Sequence, residues 1–391
     1  MSSMLSYRRG ILTAGLVLFL FIVFLSGSKN MSPKDFLRVD SNNIKKQPSQ
    51  TAIASDSTLE EFHKSAKEAS EKQDKRLEAL EQERKSLDKH LQQLRRLPAD
   101  ASVRTQLSFQ FPYESVSKFP PYIWQTWKQG KDDPNFDSRF RDSVRSWSHK
   151  NPDFVHEIMS DDITHTLVQH LYMNVPRVIE AYEAMPENIL RADFFRYLIL
   201  LARGGTYSDI DTKALKPVPN WIPNNIDLNS VGLIVGIEAD PDREDWAEWY
   251  ARRIQFCQWT IQSKPGHPVL RDIVAKITED TLHKKATNTL SLPSSKDRGS
   301  MIMDWTGPGI WTDSVFEYFN DNIKSGLNYP VNWQNFTGLQ DSYKVSDVMV
   351  LPITSFSPGV GTMGSQSDSH PMAFVKHQFE GTWKPEDERM Q

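Results

Sequence analysis

Cysteine is almost absent from this sequence. Cys257 is the single cysteine among 391 residues, so a disulfide bond within the chain is excluded. In a secreted or lumenal protein, a lone thiol is either buried or paired with another chain. Burial is the favoured interpretation, because a free cysteine behaves as a small hydrophobic residue.

A strong excess of charge is absent as well. The formal net charge is -4, which lacks the basic footprint that nucleic-acid binding proteins present to phosphates. Nucleic acid is therefore not an expected partner. Tryptophan, in contrast, is plentiful, with 11 residues. Since an indole is rarely buried completely, some of them are expected to serve as flat platforms for sugar rings or nucleobases.

One uncharged apolar run lies near the N-terminus. With its flanking small residues it covers 11–28, which is enough for a short membrane-spanning helix. Two arginines before the run predict that residues 1–10 stay in the cytosol and that the rest is lumenal, in a type II orientation. A cleaved signal peptide is the alternative, because Ser26 and Ser28 form a small-x-small pattern. We expect a signal-anchor, since the run is long for a signal peptide.

Residues 29–110 are expected to form a stem. The polar stretch at 30–56 is typical of an unstructured linker. Residues 57–97 place apolar side chains at helical spacing between dense Glu and Lys, which predicts a long solvated helix that ends at Pro98. A coiled coil that forms a homo-oligomer through the stem is the alternative, although polar residues interrupt the apolar frame.

Residues 111–391 have the composition of a globular domain. The β-prone run Tyr122–Trp127 predicts the first core strand, and a second short strand is predicted near Val155–Met159. Helices are predicted at Ser138–His149 and Asp161–Leu171. Strand, helix, strand and helix at this spacing indicate an α/β fold built on βαβ units.

The most informative stretch runs from Arg191 to Asp211. Its apolar residues recur at helical spacing, which predicts an amphipathic helix. Gly204 and Gly205 follow as a predicted C-cap, where a positive φ is required. A short strand is predicted at 206–208, and the Asp-x-Asp motif at 209–211 ends it.

Asp209 and Asp211 would end that strand. Side chains at i and i+2 of a strand point to one face, and ligands of open α/β sheets bind at the carboxyl ends of the strands. Two such carboxylates suit Mg²⁺ or Mn²⁺ bridging a diphosphate. Asp193 and Arg196 are i,i+3 neighbours on the helix. The alternatives are a turn with solvated acids and a surface ion pair of little energetic value.

The same stretch resembles the signature of glycosyltransferase family 32, R-A-D-F-x-R-Y-x-x-L-x-x-x-G-G-x-Y-x-D-x-D. The run I-W-Q-T-W at 123–127 resembles the opening strand of that family, usually I-H-Q-T-W, and departs from it at Trp124. Further blocks narrow the resemblance to the fungal members that begin the outer chain of N-glycans; they lie at 237–270, 304–318, 347–364 and 372–384. The resemblance covers residues 111–384.

The resemblance implies a single GT-A-type, Rossmann-like catalytic domain that uses GDP-mannose, depends on Mn²⁺ or alternatively Mg²⁺, and retains the anomeric configuration. Asp209 and Asp211 would hold the metal and, through it, the diphosphate. Asp193 would hydrogen-bond the donor mannose or ribose. Arg196 would contact sugar or phosphate oxygens, which suit a guanidinium group. These four residues are the expected catalytic set.

Three further residues are implied on the donor side. Trp127 would stack on guanine, with core packing as the alternative. His377 would be a third metal ligand, since imidazole is used by Mn²⁺ although oxygen suits it better; a purely structural histidine is the alternative. Trp383 would cap the diphosphate at the C-terminal end of the domain.

The acceptor side is defined more weakly. Glu238 and Asp240 follow the apolar strand LIVGI and are the acids expected to face the acceptor. Trp246 and Trp249 lie in an acidic stretch and would stack acceptor mannose rings, with a helical core position as the alternative.

The resemblance further implies the reaction and its place in the cell. Mannose would be transferred in α-1,6 linkage to the core N-linked glycan, of the Man8-9GlcNAc2 type, and so initiate the fungal outer chain. The enzyme would be a single-pass type II protein of the cis-Golgi membrane with a lumenal catalytic domain. Two alternatives stay open: a scaffold subunit of a mannan polymerase complex, and a mannosyltransferase that acts on a glycolipid.

Overall fold

The computed structural model describes residues 97, 98, 100–241, 243–293 and 297–381, together with the isolated positions 75, 80 and 82. The chain divides into two compact units, Met1–Arg96 and Leu97–Gln391, of which the second is described below. The predicted anchor at 11–28 and most of the predicted stem helix lie outside the described residues. Among the described residues, no helix is long and apolar enough to cross a membrane.

A mixed sheet forms the centre of Leu97–Gln391, with the strand order β2-β1-β3-β7-β5-β9-β8 and with β6 paired to β5. The strands are β1 (Tyr122–Thr126), β2 (Val155–Met159), β3 (Gly205–Ser208), β4 (Thr212–Ala214), β5 (Leu233–Ala239), β6 (Gln255–Phe256), β7 (Thr260–Ser263), β8 (Tyr343–Val345), β9 (Val348–Leu351) and β10 (Val375–His377). β4 and β10 form a separate antiparallel pair.

The strand directions create one functional edge. β1 pairs in parallel with β2 and β3, and β5 pairs in parallel with β9. β7 runs antiparallel to both β3 and β5, so β3 and β5 share one direction. The five strands β1, β2, β3, β5 and β9 therefore end on the same side of the sheet, which we call the carboxyl edge. Ligands of α/β sheets bind at such an edge.

The helices supply the rest of the core. They are α1 (Val103–Gln110), α2 (Arg141–Lys150), α3 (Asp161–Leu171), α4 (Pro176–Ala184), α5 (Asn188–Arg203), α6 (Pro268–Ala286), α7 (Asp297–Trp305), α8 (Pro308–Asn320), α9 (Asn322–Ser325) and α10 (Ile353–Phe356). α6 packs against α1, α4, α5 and α8. α1 lies in the segment assigned to the stem from sequence, yet it buries Val103 and Leu107 completely in this core. The predicted α/β class is confirmed.

Several aromatic and sulfur side chains are core residues. Cys257 is free and fully buried, as predicted, and burial raises the pKa of its thiol. Trp147, Trp221 and Trp311 are also completely buried, so they are not sugar platforms. Trp249 differs from them, because 61% of its surface is exposed.

The helix–glycine–strand unit has the predicted form. α5 ends at Arg203, and the N–H of Gly204 donates to the carbonyl of Leu200 at 2.9 Å. Gly204 and Gly205 have φ values of 64° and 97°, which favour glycine because a Cβ atom would be strained there. Trp124, the position that departs from the family pattern, donates its indole N–H to the carbonyl of Gly204 at 2.8 Å. The large side chain therefore ties β1 to this turn.

Gly205→Ala is expected to destabilise the domain by about 2–4 kcal/mol, since positive φ and overpacking each contribute on this scale. A Cβ at Gly205 would meet the carbonyl oxygen of Tyr122 at 2.8 Å, and backbone cannot move aside as a side chain could. Gly130→Ala is the matched control, because nothing lies within 4 Å of its Cβ position. Chemical denaturation of both variants measures the difference; equal stability of the two would contradict the steric argument.

Candidate active site

The Asp-x-Asp motif lies in the turn that joins β3 to β4, at the carboxyl edge. The prediction made it the end of a strand; the structure ends β3 at Ser208 instead. The backbone of Asp209 is held on both sides. Its N–H donates to Trp259 O at 2.8 Å, and its carbonyl accepts from the N–H of Thr212 at 3.1 Å and from the amide of Gln125 at 3.0 Å. A rigid turn, and not strand alternation, therefore presents the two acids.

Three potential metal ligands converge at this turn. Oxygen atoms of Asp209 and Asp211 and a ring nitrogen of His377 all lie within 4.8 Å of one another. His377 reaches them because β10 pairs with β4, which places it opposite Thr212. Its Nε2 lies 3.2 Å from Oδ1 of Asp211, and its ring stacks on Trp259 at 4.6 Å between centroids. The C-terminal strand thus completes a cluster that begins more than a hundred residues earlier.

This cluster fits a divalent cation. Two carboxylates and an imidazole form a donor set that Mn²⁺ accepts and Mg²⁺ accepts less readily. The Nδ1 atom of His377 is buried and has no hydrogen-bond partner among the described residues, so the ring keeps an unused nitrogen. The N–H of Glu380 donates to Oδ2 of Asp211 at 3.2 Å, which orients that carboxylate from behind.

Asp193 and Arg196 form a buried ion pair next to the cluster. Arg196 Nη1 lies 2.9 Å from Asp193, and its Nη2 lies 3.1 Å from Oδ1 of Asp209. Asp193 and Arg196 are 2% and 3% exposed, so the alternative of a surface ion pair is wrong. Arg196 also lies over the ring of Tyr207 at 5.2 Å. The guanidinium therefore links the helix α5 to the first acid of the motif.

The charged groups of the site have shifted pKa values. Burial raises the pKa of Asp193 to about 6, against the opposing effect of Arg196. Burial likewise raises the pKa of Asp209, although Arg196 again opposes it. Burial also disfavours ionisation of Asp211, but the hydrogen bond and charge of His377, together with backbone N–H groups such as that of Glu380, jointly outweigh this effect and lower its pKa. The two acids of the motif are thus electrostatically different.

Sequence reasoning did not find the residues that hold Asp193. Its carboxylate accepts from the hydroxyl of Thr306 at 3.1 Å and from the amide of Gln258 at 3.3 Å. The hydroxyl of Tyr197 donates to Gln258 at 2.7 Å, which fixes the direction of that amide. Thr306 belongs to the T-G-P-G segment, which is part of the family resemblance at 304–318. That resemblance was the one feature of the sequence that could have pointed to Thr306 as a site residue.

A second support was also missed, although its first member lies in the motif I-W-Q-T-W. Gln125 donates to the carbonyl of Asp209, and its side-chain oxygen lies 2.8 Å from Nε2 of His156. Ser148 lies 2.8 Å from the other ring nitrogen. Burial lowers the pKa of His156 to about 4, so the imidazole is neutral. The chain from Ser148 to Gln125 holds the turn by neutral hydrogen bonds.

Trp127 follows β1 at the carboxyl edge and is partly exposed. Its ring packs edge-on against Phe140, with 4.8 Å between centroids. Its indole N–H is buried and lacks a hydrogen-bond partner within the described part of the chain. Stacking on guanine stays a prediction for this residue. Trp383 lies outside the described residues, and its predicted role stays a prediction as well.

The two acids near the end of β5, Glu238 and Asp240, differ in their hydrogen bonding. Both oxygens of Asp240 are engaged: Thr337 and the N–H of Gly338 donate to them at 2.8 and 2.6 Å, and Arg253 lies at 3.3 Å. Oε2 of Glu238 is buried and has no such partner in the described ranges. Burial raises the pKa of Glu238 to about 7, against a lowering by Gln255 and His377.

The tryptophans predicted for the acceptor lie in the segment after Asp240. Trp246 begins a short 3-10 helix, Trp246–Glu248, and Trp249 follows it as the C-cap residue. Trp246 is partly exposed, and the largely exposed ring of Trp249 carries Arg243 over one face at 5.1 Å. The alternative of a helical core position is wrong for Trp249.

Comparison with known proteins identifies the family. The family described as glycosyltransferase sugar-binding region containing DXD motif matches residues 137–227. The initiation-specific alpha-1,6-mannosyltransferase of Candida albicans is 51% identical over 300 residues, which cover 74% of this chain and 78% of that protein. The chain belongs to the family of initiation-specific alpha-1,6-mannosyltransferases. It is a glycosyltransferase, as the sequence predicts.

Relatives from two other fungi carry the same name. The Saccharomyces cerevisiae protein is 39% identical over 399 residues, covering 74% of this chain and 83% of its own length. The Schizosaccharomyces pombe protein is 46% identical over 278 residues, covering 71% of this chain and 66% of its own. A mixed α/β domain with a parallel-rich sheet and a DXD motif at its carboxyl edge fits the GT-A class that was predicted.

Proposed function

We propose that this glycosyltransferase moves mannose from GDP-mannose, in α-1,6 linkage, to the core N-linked glycan of glycoproteins and thereby initiates the outer chain. The observation that carries the donor half is the convergence of Asp209, Asp211 and His377 at the carboxyl edge. Two carboxylates and an imidazole suit a cation that bridges a diphosphate. The acceptor half is supported by the shared name of three fungal relatives.

The donor side follows from these neighbours. Asp209, Asp211 and His377 would hold Mn²⁺, or Mg²⁺ in its place, which when bound neutralises charge on the departing diphosphate. Arg196 fixes Asp209 and keeps its Nε buried and unpaired among the described residues, so it is our candidate for a sugar or phosphate oxygen. Asp193 orients Arg196. Trp127 would stack on guanine with its face, and Trp383 would cap the diphosphate.

The acceptor side would be formed by Glu238, Asp240, Trp246 and Trp249. The exposed indole of Trp249 offers a flat apolar surface on which a mannose ring can stack. Asp240 contributes through the loop at 337–338 that it holds. We further propose retention of the anomeric configuration, and a type II anchor at 11–28 that keeps this domain in the lumen of the cis-Golgi.

The test is a transfer assay with two acceptors. Purified protein is incubated with GDP-mannose, Mn²⁺ and either a Man8-9GlcNAc2 glycan or inositol phosphoceramide. We expect α-1,6-linked mannose on the glycan alone, and a loss of at least about 100-fold in EDTA that added Mn²⁺ reverses, because the metal supplies several kcal/mol of charge stabilisation.

Three results would contradict parts of this proposal. Transfer to the lipid alone would show that the acceptor is a glycolipid. Full activity in EDTA would show that the reaction does not need a metal. Absence of transfer to every acceptor by a folded protein that binds GDP would favour the scaffold subunit.

A further inference from the structure

The end of β5 presents two acids, and only one of them is free for a ligand. Asp240 receives two hydrogen bonds, from Thr337 and Gly338, and an ion pair from Arg253. Those contacts join the strand end to the loop that follows Trp333. Both oxygens of its carboxylate are thus engaged within the protein, which gives Asp240 a structural role.

Glu238 has the opposite character. It is the single residue of β5 that is partly exposed, so its side chain is accessible from solvent. Gln255 pairs with Ala239, the next residue of β5, and its side chain acts to lower the pKa of Glu238 as a hydrogen-bonding group does. The amide oxygen of Gln255 is itself occupied by the N–H of Ala251 at 3.0 Å. The amide therefore keeps its NH₂ group for Glu238. Oε2 stays buried and unpaired in the part of the chain that the structure describes.

An unpaired buried carboxylate oxygen costs free energy, because it has lost its hydrogen bonds to water without gaining others. Such a group in a native protein calls for an explanation, and a role in binding or catalysis is one of them. The neighbours of Glu238 indicate which ligand. Its carboxylate interacts electrostatically with His377 of the metal-ligand cluster and with Tyr250, which directly follows Trp249. Glu238 is thus close to both the donor-side cluster and the aromatic segment.

We infer that Glu238 binds the acceptor sugar directly, by accepting a hydrogen bond through Oε2 from the hydroxyl group that receives the mannose. This inference rests on the proposed function and assigns one residue of its acceptor site. The hydrogen bond would hold that hydroxyl group beside the donor with a lone pair directed at the sugar. Asp240 then shapes the site without touching the reacting hydroxyl.

Glu238→Gln tests the inference with little change in shape. The new amide oxygen keeps its bond to the NH₂ group of Gln255, so the new NH₂ group faces the acceptor. It would donate to the hydroxyl oxygen and occupy the lone pair that must attack. We expect kcat/KM for the glycan acceptor to fall about 100-fold, as misplacement of a reacting group does. The Kd of GDP with Mn²⁺, measured by calorimetry, should change far less than kcat/KM, since Glu238 lies near His377 but is not among the donor-side ligands.

Glu279→Gln is the matched control, because Glu279 is an exposed glutamate on α6 and undergoes the same change of charge. Equal kcat/KM for Glu238→Gln and Glu279→Gln would overturn the inference. So would a loss of GDP binding or of thermal stability in parallel with activity, which would give Glu238 a structural role. Wild-type protein that transfers mannose to no glycan contradicts the proposed function itself, and with it this assignment.

Discussion

Asparagine in place of Asp209 or Asp211 is expected to remove mannose transfer almost completely while the fold persists. The loss should reach about 1,000-fold, because a bound divalent cation supplies several kcal/mol of charge stabilisation to a departing diphosphate. The turn itself should survive. Its geometry depends on the backbone bonds of Asp209 to Trp259 and Thr212, which a side-chain amide leaves intact.

A binding measurement separates this effect from misfolding. Ligands that bind only the folded state raise its melting temperature, so GDP with Mn²⁺ should stabilise the wild type and not Asp211→Asn. Asp153→Asn is the control, since Asp153 is exposed and precedes β2 at the opposite edge of the sheet. Normal stabilisation of Asp211→Asn by GDP with Mn²⁺, together with full activity, would show that the motif does not bind the metal.

The donor half of this site could be predicted because its signals are local. Asp209 and Asp211 stand two residues apart, Gly204 and Gly205 mark the end of the helix, and periodicity alone defines α5. The position of Arg196 could not be derived in this way. Its contact with Asp209 spans 13 residues and a change of direction at the glycines, and nothing in the spacing distinguishes an exposed pair from a buried one.

The acceptor half was harder to predict for a physical reason. Glu238 and Asp240 stand two residues apart at one strand end, so the sequence does not distinguish which of them faces the acceptor. They differ because Asp240 meets a loop about a hundred residues later and Glu238 does not. Gln258 and Thr306 were missed on the same grounds, since their value lies in long-range contacts with Asp193.

Removal of the guanidinium at Arg196 should have the second large effect, on stability as well as activity. Arg196→Met would leave the buried Asp193 and the partly buried Asp209 close together without a counter-charge. Breaking a buried ion pair from one side costs about 3–5 kcal/mol. Arg196→Lys should lie between the wild type and Arg196→Met, because an ammonium keeps the charge but cannot bridge both carboxylates with a planar fork.

The control for this experiment is another arginine that pairs with an aspartate at i-3. Arg145 and Asp142 form an ion pair in which the two side chains are 76% and 87% exposed, so Arg145→Met should change stability by no more than about 0.5 kcal/mol. Urea unfolding of the three variants ranks them. If Arg196→Met proved as stable as Arg145→Met, the buried ion pair would contribute little to the free energy of unfolding.

Asp193→Asn combined with Arg196→Met should recover part of the lost stability, since one of the two unpaired charges is then absent. Recovery of stability without recovery of mannose transfer would show that the pair of Asp193 and Arg196 acts on the donor as well as on the fold.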